Sequence, residues 1–187
     1  MKTFNSLHFL SGNQNGLTLI EILITILVMG FGLLGVAQMQ TVSIKSNYES
    51  AQRTTATYLA EDIISRMRST PLTSLSSYDT GSNPIDSTNP SSEPDECTSS
   101  SNCSVANKVL RDLWEWKEAL IGTAEKKDST NTGGLQNPSG CIQVSNNQIR
   151  VIIAWDSLGK SKSSVTTTCG TGSSDFKRRA LTVFTVL

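Results

Sequence analysis

The chain has 187 residues, in which 16 lysines and arginines balance 16 aspartates and glutamates. This length suits one ordinary domain with an appendage, and the absent net charge removes the positive field that would hold nucleic acid directly. One histidine, His8, leaves histidine-based triads and multi-histidine metal sites without their groups.

Residues 1–16 (MKTFNSLHFLSGNQNG) form a polar leader-like segment carrying Lys2 and ending in Gly16. From Leu17 to Ala37 the chain then reads LTLIEILITILVMGFGLLGVA, with no lysine, arginine or aspartate before Lys45. At about 1.5 Å per residue this run makes about 31 Å of helix, the thickness of a hydrocarbon core. Glu21 is its one ionised group, and burying that carboxylate in lipid is costly unless it is paired or reaches the interface. Two maturation readings exist. A secretion signal would be cut after the small residues of Gly35-Val36-Ala37, leaving a chain that starts at Gln38. A cut between Gly16 and Leu17 would instead keep the apolar helix. Gly30, Gly32 and Gly35 each lower helix preference by about 1 kcal/mol and mark a soft stretch, with no proline before Pro71.

Residues 38–70 read as an amphipathic continuation of the helix, with Ile44, Tyr48, Ala51, Leu59, Ile63 and Met67 near helical spacing. Lys45 with Glu49, Glu49 with Arg53 and Asp62 with Arg66 stand one turn apart as ion-pair candidates. Pro71 supplies the stop. The stretch 69–107, rich in serine, threonine, asparagine and proline, shows no regular element and reads as a long surface loop. Its carboxylates Asp86, Glu93, Asp95 and Glu96 lack the spacing and glycine of a calcium loop and are expected to be solvated.

Val105 to Gly122 places Val109, Leu113, Trp116 and Leu120 at helical intervals, with Asp112 and Glu115 on other faces, and Gly122 ends that helix. Trp116 is expected in the core, with Trp114 facing elsewhere. After a polar connection, Cys141–Val144 and Gln148–Trp155 flank Asn146-Asn147 as a hairpin. Ile149, Val151, Ile153 and Trp155 alternate onto one face. Arg178 to Leu187 reads as a closing strand, and Lys177, Arg178 and Arg179 as a solubilising strand end. The class is α+β. Four cysteines allow three pairings; the short step from Cys97 to Cys103 favours a local bridge, leaving Cys141 with Cys169. Disulfides place the distal part outside the cytoplasm; four reduced, buried cysteines are the alternative. No catalytic constellation, cofactor motif or metal hook is present in the pattern.

The string Gly16-Leu17-Thr18-Leu19-Ile20-Glu21, followed by an apolar run, resembles the prepilin signature of type IV pilins and type II secretion pseudopilins. The resemblance implies that prepilin peptidase cuts after Gly16 and methylates Leu17, where the family usually has phenylalanine. It also implies that Glu21 attracts the N-terminal amine of a neighbouring subunit during assembly. Gly30, Gly32 and Gly35 would take the place of the helix-kinking proline. Gly32–Gln40, Ala51–Ala56 and Leu59–Arg68 are similar to the PilV family of minor pilins. The implied fold is a pilin: a long N-terminal helix, half in the membrane or filament core and half packed on a small antiparallel sheet, with a head over 71–187. The implied function is initiation and assembly of the pilus in a minor-pilin tip complex, with other minor pilins, the major pilin and the inner-membrane assembly platform as partners. Before assembly the chain would be a single-pass inner-membrane protein with a periplasmic head, and afterwards part of the pilus. A minor pseudopilin or a membrane-tethered adhesive module are the alternatives; pilus activities such as twitching or adhesion belong to the assembled fibre.

Overall fold

The computed structural model describes residues 16–81, 83–95, 104–157, 169–170 and 178–187. The Cys97–Cys103 bridge, Glu96 and Lys177 therefore lie outside the described residues. The first helix, α1 (Leu19–Arg68), runs through the boundary between two compact units, residues 1–43 and 44–187.

In the first unit every described residue of α1 is exposed, including the leucines, isoleucines and valines of the apolar run. The polar atoms of this stretch are satisfied locally: Thr25 Oγ1 donates to the Ile22 carbonyl at 2.8 Å, and Thr41 Oγ1 to that of Ala37 at 3.1 Å. A helix whose hydroxyls bond back to its own carbonyls leaves lipid or another apolar surface little to desolvate.

In the second unit α1 buries Gln52, Ala56, Ala60, Ile63, Ile64 and Met67. Of the expected stripe, Ile63 and Met67 are buried, Tyr48 and Leu59 are half-buried, and Ile44 and Ala51 are exposed, while the buried face also includes a glutamine and two alanines. The small alanines let other elements come close, and Trp116 Nε1 donates to the Leu59 carbonyl at 2.8 Å.

The loop expected over 69–107 is partly ordered. A 3-10 turn, Leu72–Tyr78, buries Leu75 and Tyr78, and Ile85 forms an isolated antiparallel bridge with Gly140. Short polar runs conceal this because only three apolar side chains anchor it. The second helix, α2 (Val105–Ile121), starts where the Ser104 side chain accepts the Asn107 N–H and ends at Gly122 in the left-handed conformation, φ 73°. A Cβ at Gly122 would lie 1.9 Å from the Gly134 nitrogen, so this backbone-on-backbone contact requires glycine.

A two-residue ribbon pairs β1 (Lys126–Lys127) with β2 (Thr130–Asn131), within the expected polar connection. The main sheet has the order β3 (Ser139–Ser145), β4 (Gln148–Asp156), β5 (Arg178–Val186), all antiparallel. Asn146 takes φ 55° in the β3–β4 turn, which asparagine tolerates. Ile149, Val151, Ile153 and Trp155 join α1, α2, Leu75, Tyr78 and Ile85 in one core. On the opposite face Ile152 is covered by the disulfide joining Cys141 to Cys169. The molecule is therefore α+β, a long N-terminal helix packed on a small antiparallel sheet.

Candidate functional site

The chain start and the head carry different chemistry. Gly16, Leu17 and Thr18 precede α1, and the Thr18 carbonyl accepts the N–H groups of Glu21 at 3.1 Å and Ile22 at 3.3 Å. Glu21 lies in the first turn of α1, where a carboxylate favours the exposed N–H groups of the helix end. Among the described residues nothing requires glycine at position 16: a Cβ there meets no described atom within 4 Å. The same holds for Gly30, Gly32 and Gly35, and α1 is continuous through them.

Leu17, Leu19, Ile20 and Phe31 are 70%, 81%, 67% and 68% exposed. An 18-residue window of this helix has a mean hydropathy of 2.5, and it is long and apolar enough to cross a membrane. So much contiguous apolar surface does not persist in water on a free monomer.

In the head, a polar junction joins the end of α1, the 3-10 turn and α2. Arg66 donates to Asp62 at 3.0 Å, to Glu115 at 2.5 Å and to Asp112 at 3.4 Å. The buried Tyr78 hydroxyl donates to Asp112 Oδ2 at 2.5 Å and lies 3.1 Å from Thr70 Oγ1, which also accepts from Lys108 Nζ. Asp112 is buried although it stands off the apolar stripe of α2; a charged side chain is accommodated here because Tyr78 and Arg66 meet it. Burial, and next the Asp112 hydrogen bond, push the Tyr78 phenol well above its ordinary value. Hydrogen bonds from Arg66 and then Arg111 hold the Glu115 carboxyl below the usual carboxylate range. These contacts tie the end of α1, the 3-10 turn and α2 together.

Several of the remaining expected groups take partners within the head, while Asp95 is exposed as expected. Glu49 pairs with Arg179 and accepts from Ser157 Oγ at 2.5 Å, in place of the expected partners Lys45 and Arg53. Arg178 pairs with Asp156 at 3.4 Å and with the Ser139 hydroxyl; the basic strand end ties β5 to α1 and β3 instead of lying free in solvent. Asp86 Oδ1 accepts from Thr88 and Asn89, and Glu93 pairs with Arg111 at 3.2 Å. Trp116 is fully buried, and Trp114 stands beside Arg111 and Lys117, 5.3 and 5.7 Å from its ring centre. Charge identity alone pointed to solvent for Arg178 and Arg179; only the pairing of distant segments reveals their partners.

A family model described as type IV pilin Tt1218-like matches residues 38–114. A model of the prokaryotic N-terminal methylation motif matches residues 11–37. The two matches abut, and over residues 11–114 the chain is similar to type IV pilins and to chains with an N-terminal methylation motif, families that are structural. No curated protein and no solved structure matches the chain significantly.

Proposed function

We propose that the chain is a minor type IV pilin of the PilV class. It is cut after Gly16, methylated on Leu17 and assembled through its apolar helix into a pilus-initiating tip complex with other pilins. The observation that carries this reading is the exposed apolar surface of residues 17–43, with Glu21 as the one ionised side chain of that stretch. It directly follows a residue, Gly16, whose side-chain-free character no described residue demands.

Before assembly the apolar run sits in the inner membrane with the head on the periplasmic side, where an oxidising environment maintains the Cys141–Cys169 bond. In the assembled fibre, Glu21 meets the amine of a neighbouring Leu17, offsetting the cost of holding a carboxylate in apolar surroundings. The glycines at 30, 32 and 35 permit the helix to extend or to approach its neighbours closely. Mass spectrometry of the N-terminus from the native membrane fraction tests the reading. A chain starting at methylated Leu17 supports it, and one starting at Gln38 refutes it. Gly16→Leu is expected to accumulate as precursor; Glu21→Ala is expected to be processed and yet fail to enter pili.

A further inference from the structure

The Cys141–Cys169 bond is buried on the face of the sheet away from the main core. Cys169 is 1% exposed and Cys141 5%, and with the equally buried Ile152 they form a second cluster of their own. Cys169 Sγ stands 3.6 Å from the Ile152 carbonyl oxygen and 3.9 Å from that of Ser139. The next residue, Gly170, takes φ 71°, and a Cβ on it would run into the Ser139 side chain and stand 3.2 Å from the Arg178 guanidinium. Arg178 is itself fixed by Asp156, the Ser139 hydroxyl and the Asn137 carbonyl. Residues 169–170 are thus seated in a socket built from β3, β4 and the start of β5.

Thiol–disulfide exchange needs a thiolate to reach one sulfur and passes through a mixed disulfide, so it depends on access. In the closed head an incoming thiolate meets two carbonyl oxygens beside Cys169, both electron-rich, and the packed cluster around Cys141. The forward reaction has the same constraint. Joining the two thiols releases two electrons and two protons, which a disulfide oxidant takes up to leave as two thiols. On the way that oxidant is covalently held on Cys141 or Cys169, and a socket this tight has no room for it.

We infer that Cys141 and Cys169 are joined while the head is still open, by a disulfide oxidant acting on the unfolded chain, and that closure of the head then seals the bond. The redox state of the compartment acts on the open chain and not on the finished one. Sealing involves the whole head because of where the cysteines sit. Cys141 pairs with Ile152 across β3 and β4, and the residues beside them, Ile142, Val151 and Ile153, belong to the main core on the other face. Moving β3 or β4 away from the sulfurs therefore opens the core, in which Tyr78 is packed. Burial and bond chemistry carry this independently of the pilin reading.

The test follows reduction of the full-length chain by dithiothreitol in detergent micelles, with freed thiols alkylated and residues 141 and 169 read by peptide mass spectrometry. Tyr78→Phe is the probe, because Tyr78 belongs to the main core and not to the cysteine cluster. If the bond is reached only when the head opens, Tyr78→Phe should be reduced about ten- to a hundredfold faster than the natural chain. Equal rates in the two chains would mean that residues 169–170 leave their socket alone, and would overturn the inference. So would reduction of the natural chain as fast as in denaturant. In a second arm the reduced chain is returned to native conditions and oxidised glutathione is then added, with closure followed by near-ultraviolet circular dichroism. Slow oxidation of a closed head, or closure that waits for the bond, supports oxidation first. A closed head oxidised as fast as the unfolded chain overturns that order.

Discussion

Removing the Tyr78 hydroxyl is the smallest change that opens the buried junction of the head. Tyr78 is fully buried, its hydroxyl donates to Asp112 at 2.5 Å, and Asp112 is only 8% exposed. In Tyr78→Phe the carboxylate keeps Arg66 at 3.4 Å, a long contact, and water has little access. A hydrogen bond to a charged group contributes about 1.5–3 kcal/mol. At about 2–4 °C per kcal/mol for a chain of this size, the melting temperature should fall by about 3–12 °C.

The assay is near-ultraviolet circular dichroism of the full-length chain in detergent micelles, following the buried Trp116. A double-mutant cycle with Asp112→Asn supplies the control: the second substitution should cost less in the Tyr78→Phe background than alone. A shift under about 1 °C, or purely additive effects, would refute the junction as a source of stability. Alkali gives a second readout. Burial and the Asp112 bond raise the phenol above its unfolded value of about 10. Its contribution is therefore complete below about pH 10 and declines as the pH rises from there towards the folded pKa. The gap between the natural chain and Tyr78→Phe should narrow over that interval.

Gly140→Ala should destabilise the head by about 1–3 kcal/mol, because its Cβ would lie 2.4 Å from Trp116 Cη2; an unchanged melting curve would mean that the indole moves freely aside. Cys141 and Cys169 are 28 residues apart, and opening a loop of that size costs about 3–4 kcal/mol in chain entropy. Cys141→Ser with Cys169→Ser should lower the melting point accordingly, and a reductant should then have no further effect through this pair. On the acid side Arg66 and Arg111 lower the Glu115 pKa. Its contribution is present above the ordinary glutamate pKa and lost as the pH falls through the folded value. Glu115→Gln should flatten the acid limb of a stability–pH profile, and an unaltered limb would exclude that contribution.

Repeating patterns explain what was legible in the sequence. The apolar run, the Val105–Gly122 helix with its glycine stop, and the Asn146-Asn147 hairpin are local: each is specified by neighbours within a few turns or strands. The Leu72–Tyr78 turn escaped notice because its anchors Leu75, Tyr78 and Ile85 are spaced too irregularly to form a period, and the core that holds them comes from other segments. In the α1 stripe Ile63 and Met67 are buried as expected, whereas Ala51 gives way to its neighbour Gln52 for a related reason. Gln52 is buried because its amide side chain reaches the backbone near Gly134 and Gln136, 3.5 and 3.3 Å away, and no hydrophobic scale anticipates such a partner.

Arg179 shows the same limit in charge. Beside Arg178 in sequence it reads as a solvated end, whereas in space it holds Glu49 of α1. At Gly16 and Glu21 the relation is inverted, since the sequence is informative and the single-chain fold is mute. The fold neither uses the missing side chain of Gly16 nor supplies a cation for Glu21 among the described residues. A residue that the monomer leaves idle at an energetically costly position points to chemistry between molecules.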